Sequence, residues 1–104
     1  MTDTRRLELH TKLTELLGSN YVYYQPPATV NMHYPAIRYN LSAGKDLDAN
    51  NKTYLFRKRY TVTFIDWDPD AQWLNAMLDT FDYCSFDRWY AADNLNHWVF
   101  DLYW

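Results

Sequence analysis

The feature that most constrains the fold is a long alternation of apolar and polar side chains from about Tyr54 to Ile65. The apolar positions are Phe56, Tyr60, Val62 and Phe64, and the polar positions are Arg57, Arg59, Thr61 and Thr63. A strand with this period buries one face and leaves the other in water. The chain must therefore supply further apolar surfaces that cover the buried face.

Two amphipathic segments provide that cover. Residues Leu9, Leu13, Leu16 and Leu17 fall on one side of a helix that Asp3 or Thr4 caps and that Gly18 ends. The dipeptide Asp68-Pro69 predicts the start of a second helix, because Pro suits the first helical turn and Asp caps it. Its apolar side is formed by Leu74, Met77, Leu78 and Phe81.

Four shorter patterns predict the remaining strands. Residues 21–24 form a brief strand that Gln25-Pro26-Pro27 ends, and residues 36–42 alternate with Ile37, Tyr39 and Leu41 inward. A fourth strand carries Cys84, Phe86 and Arg88 on one face, and a fifth carries Trp98, Phe100 and Leu102, with a turn over residues 91–96 between them. The order α-β-β-β-α-β-β predicts an α+β fold with an antiparallel or mixed sheet and both helices on one face.

The length of 104 residues limits the chain to one domain with one core, here residues 1–104. Aromatic residues make up 19% of the chain and include five Trp. One small core does not accommodate all of these rings. Since Tyr and Trp are enriched at interfaces, we expect part of the set to lie on a contact surface.

The charges are distributed unevenly along the chain. Residues 1–60 hold nine Lys or Arg against five Asp or Glu, a balance of +4, and residues 61–104 hold one Arg against eight Asp, a balance of −7. If the fold keeps these halves apart, two patches of opposite sign favour contacts between copies. If the fold mixes them, the charges cancel on the surface.

The single cysteine, Cys84, cannot form an internal disulfide, which indicates a reducing compartment. The first residues show no apolar signal-peptide core, and no apolar run approaches the roughly 20 residues that cross a bilayer. We therefore expect no membrane partner.

Three patterns resemble sites of chemistry, and each is incomplete. Asp66-x-Asp68-x-Asp70 begins like a calcium loop, but Ala71 and Met77 stand where Gly and Glu are needed. Ser85, Asp87, Asp93 and His97 contain the residue types of a hydrolase without a nucleophile elbow, and His10 and His33 have no partner at zinc-ligand spacing. The sequence therefore predicts no catalytic, metal or cofactor residues and no enzyme.

Two polar stretches suit contacts with other molecules. Residues 43–53 carry Lys45, Asp46, Asp48 and Lys52 and are longer than a strand connection needs, which indicates either an arm that reaches a partner or an ordinary exposed loop. Arg57-Lys58-Arg59, flanked by Tyr54, Phe56 and Tyr60, leaves open a small nucleic-acid or peptide binding module that uses the strand from Tyr54 to Tyr60.

Four segments together resemble the tail terminator, or tail completion, proteins of tailed bacteriophages with long non-contractile tails. They are YYQPP at 23–27, MxYPxIxY at 32–39, YTVTxIDxDPD at 60–70 and SFDRxYxxDNLNHxxFxLY at 85–103. The resemblance covers nearly the whole chain in order, and its last segment is the most specific. Another head-tail joining protein of similar size is the alternative within the same setting.

The resemblance implies a structural protein of the virion. Members form a ring, usually a hexamer, on the end of the tail tube, where they stop tube polymerisation and provide the surface for head-tail joining. The implied partners are further copies, the tail tube protein and the head-tail connector protein, with DNA only passing through the lumen. The implied location is the head-proximal end of the tail, after assembly in the host cytoplasm. The candidate interface residues are Lys45, Asp46, Asp48, Lys52, Arg57, Arg59, Asp87, Arg88 and Asp93.

Overall fold

Two helices and five strands make up the computed structural model, which describes residues 4–42 and 58–104. In chain order they are α1 (Thr4–Leu17), β1 (Val22–Tyr24), β2 (Ala36–Leu41), β3 (Arg59–Asp66), α2 (Trp73–Thr80), β4 (Cys84–Ala92) and β5 (Leu95–Tyr103). The predicted arm over residues 43–53 and the predicted start of β3 at Tyr54 lie outside the described residues.

The strands form one mixed sheet in the spatial order β1-β2-β3-β5-β4. Strand β1 runs parallel to β2, and every other neighbouring pair is antiparallel. This arrangement confirms the predicted α+β fold and element order.

Both helices cover the same face of the sheet, which we call the helix face. The side chains that β2, β3 and β5 direct to it share one core cluster with residues of α1 and α2: Leu9, Leu13, Ile37, Tyr39, Tyr60, Val62, Phe64, Met77, Phe81, Trp98, Phe100 and Leu102. The alternation in β3 is therefore correctly predicted, and burial of these groups is the main stabilising contribution. The opposite face, the open face, carries no helix among the described residues.

Helix α1 ends as its sequence predicts. Gly18 has a φ of 81°, in the left-handed region that glycine adopts without steric cost, and its N–H donates to the carbonyl of Thr14. Thr4 is the first residue of the helix rather than its cap, and Asp3 lies outside the described residues.

The predicted start of α2 at Asp68-Pro69 is wrong. The helix begins at Trp73, and its N-cap residue, Gln72, makes no side-chain capping bond. Asp68 instead accepts a hydrogen bond from the N–H of Asp70, which closes a turn through the side chain. Because α2 is short, its burial is also narrower than predicted: Met77 is buried, whereas Leu78 is 42% exposed.

Strands β4 and β5 form a tighter hairpin than predicted. The turn consists of Asp93 and Asn94 alone, both with positive φ of 54° and 64°, as a two-residue hairpin turn requires. At the far end of β2, Leu41 is 41% exposed although its register matches the core residue Tyr60, because it is the last residue of the strand.

A β-bulge interrupts the pairing of β4 with β5 between Phe86 and Arg88. The extra residue shifts the alternation, so that Phe86 opposite Phe100 and Trp89 opposite Trp98 share the helix face. Arg88 consequently lies opposite Val99 on the open face, and its predicted place beside Phe86 is wrong.

Candidate assembly surface

The structure describes four of the nine candidate interface residues. Lys45, Asp46, Asp48, Lys52 and Arg57 lie outside the described residues. The other four, Arg59, Asp87, Arg88 and Asp93, occupy three separate places on the sheet and do not form one patch.

Arg59 is engaged within its own subunit. Its Nη2 lies 3.1 Å from Oδ1 of Asp101 across β3 and β5, and both side chains are about three-quarters buried. This ion pair joins the basic first part of the chain to the acidic last part. At this point the fold mixes the two charged halves rather than separating them.

Asp87 and Arg88 form an exposed pair at the bulge of β4, with Nη1 of Arg88 2.6 Å from Oδ2 of Asp87. The guanidinium also lies 5.8 Å from the ring centre of Tyr90, which stacks on His97 at 4.5 Å with an interplanar angle of 8°. Burial lowers the pKa of His97. The Arg88 guanidinium and the rings of Tyr90 and His97 therefore lie next to one another on the open face of this hairpin.

Asp93 occupies the tip of the hairpin. It borders a cleft of about 490 Å³ whose other walls are Arg38 on β2 and residues of the loop that follows β1: Pro26, Pro27, Ala28, Val30, Met32 and Tyr34. The tyrosine hydroxyl of Tyr23 accepts a hydrogen bond from the N–H of His33 and holds this loop against the sheet.

The residue types of a hydrolase do not come together. Ser85 pairs with Asp101 in the ladder, and His97 pairs with Tyr90. The β5 residues of these two pairs, Asp101 and His97, are four positions apart, which corresponds to about 13 Å along the strand. Asp93 lies beyond His97 in the turn, so the four groups do not converge on one reacting atom.

The Asp66, Asp68 and Asp70 series also differs from an ion loop. Asp66 is buried and accepts hydrogen bonds from the N–H of Asp68 at 3.0 Å and from the indole Nε1 of Trp73 at 2.9 Å. Within residues 4–42 and 58–104, no cluster of three acidic, His or Cys side chains is placed to hold a metal ion.

The described part of the Tyr54–Tyr60 strand offers little to a nucleic acid. Tyr60 is only 2% exposed and belongs to the core, so its ring is not available to stack on a base. Tyr54, Phe56 and Arg57 lie outside the described residues.

The exposed apolar surface concentrates on β4, at the edge of the sheet. Phe86 is 39% exposed, Trp89 51% and Tyr90 39%. The Phe86 ring contacts Phe100 edge to face at 5.5 Å, so its inner half extends the core and its outer half meets solvent. Every residue of β4 except Cys84 is exposed.

The sequence prediction missed Trp67, which lies just after β3 and is 60% exposed, more than any other large apolar residue that the structure describes. Its position between Asp66 and Asp68, in a polar segment without apolar periodicity, is the signal that indicates exposure. Of the five Trp residues, Trp98 is buried, Trp73 and Trp104 pack against the core, and Trp67 and Trp89 are exposed. The expectation that one core does not accommodate all five is confirmed.

None of the family models, curated proteins or solved structures compared with this chain matches it. Among the described residues, neither helix has the length and apolar character needed to cross a bilayer.

Proposed function

We propose that this chain is a structural subunit of a homo-oligomeric ring, a hexamer, at the head-proximal end of a long non-contractile phage tail. The ring caps the tail tube, stops its polymerisation and provides the surface for head-tail joining. The observation that carries this proposal is the exposed aromatic surface of β4. The resemblance of residues 23–27, 32–39, 60–70 and 85–103 to tail terminator proteins supplies the biological setting.

The exposed surface of β4 is energetically suited to a protein contact. Covering the exposed half of one indole ring contributes about 2 to 3 kcal/mol at roughly 25 cal/mol per Å². Trp89 and Phe86 lie on the same face because of the bulge, and they offer adjacent apolar groups rather than scattered ones. Contiguous exposed apolar surface of this kind marks interaction sites.

The bulge also favours one kind of contact for β4. A bulge and a charged pair on an edge strand hinder open-ended pairing with another edge strand. The bulge and the charged pair of Asp87 and Arg88 both lie at the middle of β4. We therefore assign the side chains of β4, rather than its backbone edge, to the joint with the tail tube protein, while other surfaces join the copies.

The test is tail assembly with a variant of β4. Trp89→Lys should leave the subunit folded, because the side chain is half exposed, and should abolish tube capping, so that tails grow beyond their normal length. Leu7→Lys is the matched control, since Leu7 is 44% exposed on α1 and should cap normally. Tail length is measured by electron microscopy, and native mass spectrometry with and without tube protein gives the number of copies.

Two results contradict the proposal. The first is a wild-type protein that stays monomeric in the presence of tube protein. The second is a normal tail length with the Trp89→Lys variant, because this result would show that β4 is not part of the joint.

A further inference from the structure

Trp67 lies in a loop at one end of the sheet, and four hydrogen bonds hold this loop in place. Its own backbone carbonyl accepts a hydrogen bond from Nδ2 of Asn96 at 3.4 Å, and the preceding carbonyl of Asp66 accepts one from the same amide at 3.3 Å. The buried Asp66 carboxylate binds the N–H of Asp68, and Asp68 binds that of Asp70. A loop held at four points therefore presents an indole that is 60% exposed.

A cleft of about 150 Å³ lies at the other end, between α1 and the end of α2. We call it the socket, and its lining consists of Arg5, Lys12, Thr80, Phe81, Asp82, Tyr83, Tyr103 and Trp104. A cavity of this volume holds about one benzene ring, so it covers the six-membered ring of an indole and leaves the rest of that side chain at its mouth.

Within the socket, two cationic side chains lie close to two aromatic rings. The guanidinium of Arg5 and the ammonium of Lys12 lie 5.8 and 5.7 Å from the ring centre of Trp104. Lys12 also lies 5.8 Å from the ring of Phe81, which meets Trp104 edge to face. Trp104 is fixed by a hydrogen bond from its Nε1 to the carbonyl of Arg5 at 2.6 Å. These cations suit the face of a further aromatic ring.

The register of β3 and β5 places the two features at opposite ends. Asp66 pairs with Asn96 at the Trp67 end, and Arg59 pairs with Tyr103 at the socket end. The eight residues of β3 separate them by about 25 Å. Trp67 therefore cannot enter the socket of its own subunit, and a contact between the two surfaces joins different copies head to tail.

We propose that Trp67 of one copy inserts into the socket of the next copy and forms the contact that closes the ring. This inference rests on the proposed function for the ring itself, and it identifies the surfaces that join its subunits. Trp is among the residues that contribute most to protein interfaces when a pocket covers it.

Charge and hydrogen bonding favour a second copy as the occupant. Asp68 and Asp70 flank the exposed indole with negative charge, whereas Arg5 and Lys12 line the socket with positive charge. The remaining charged group of the socket, Asp82, is an acceptor for the indole N–H, which a buried Trp requires.

The decisive experiment mixes two variants of the full chain. Trp67→Ala removes the inserted ring and leaves the socket intact, and Lys12→Glu alters the socket and leaves the ring intact. Neither variant should assemble alone, with self-association at least roughly tenfold weaker than in the wild type. Their mixture has one working contact per pair and should give heterodimers of two chains and nothing larger, measured by native mass spectrometry with tube protein added where the wild type needs it.

Two further variants complete the test. Leu7→Ala, on α1, is the matched control and should assemble as the wild type does, because Leu7 is 44% exposed and belongs neither to the socket nor to β4. A chain that carries both Lys12→Glu and Asp70→Lys should regain part of the association that either substitution alone removes, because the contact again joins a negative and a positive side chain. Unchanged thermal unfolding of Trp67→Ala checks that the fold is intact.

The outcomes separate this inference from the proposed function. Rings formed by Trp67→Ala, or a mixture that gives no heterodimer while the wild type forms rings, contradict the insertion of Trp67 and leave the ring proposal standing. A wild type that forms no ring with tube protein present contradicts both.

Discussion

The buried carboxylate of Asp66 accepts a hydrogen bond from the indole Nε1 of Trp73 at 2.9 Å. Its second oxygen accepts one from the backbone N–H of Asp68. The end of β3, the following turn and the first residue of α2 are thereby joined through one side chain. Asp66 is 6% exposed and is the buried charged residue among those that the structure describes.

We expect Asp66→Ala to destabilise the protein by about 1 to 3 kcal/mol, because two part-buried donors, the N–H of Asp68 and the indole of Trp73, lose their acceptor. Urea unfolding followed by tryptophan fluorescence measures the change. Asp68→Ala is the control and should cost no more than about 0.5 kcal/mol, since that residue is exposed and does not cap α2. Equal losses in the two variants would show that Asp68 does stabilise the helix.

Stability should decline in mild acid because of two histidines. Burial, with a smaller effect of Arg6, lowers the pKa of His10, whose Nδ1 lies 2.7 Å from the hydroxyl of Tyr39, and burial lowers the pKa of His97. As pH falls through the ordinary value of 6.5, the unfolded chain binds protons before the folded one does. The two groups therefore contribute fully above about pH 6.5 and progressively less below it.

Unfolding free energies measured across this range test the two groups. His10→Gln and His97→Gln should each flatten the decline, and the double variant should flatten it further. A double variant with the same pH dependence as the wild type would contradict the assignment.

The thiol of Cys84 should react slowly in the folded protein. Burial, with a smaller effect of the Asp101 carboxylate, raises the pKa of Cys84 from 9.0 to about 11. At pH 8 the reactive thiolate is then roughly a hundredfold scarcer than for a thiol at its ordinary pKa. Alkylation by iodoacetamide, followed by mass spectrometry, should be slower by at least this factor than in urea-unfolded chain. Equal rates in the two states would contradict the raised pKa.

Gly18→Ala should destabilise the protein by about 1 to 2 kcal/mol without disturbing the packing. The cost comes from the left-handed φ of 81°, because an added Cβ meets no atom within 4 Å. Gly18→Asn should cost less, since Asn tolerates this conformation. Denaturant midpoints with an unchanged slope measure both effects. A loss for Asn equal to that for Ala would show that the backbone conformation is not the cause.

The local periodicity of the sequence determined the elements and most of the core. Apolar spacing at Leu9 and Leu13, a glycine at position 18 and alternation at Tyr60, Val62 and Phe64 are short-range signals, and each describes the structure correctly. The same signals gave the α+β class, because a strand buried on one face and two amphipathic helices have few ways to cover one another.

Only the tertiary structure determined which residues lie together on each surface of the protein. The bulge that turns Trp89 to the helix face depends on pairing with β5, and Trp73, the first residue of α2, donates its indole N–H to Asp66 at the end of β3. The separation of Trp67 from the socket follows from strand order and register, which bring Trp104 beside Arg5 although the two are 99 positions apart in the chain. Such relationships join residues that are distant in sequence, so no local pattern encodes them.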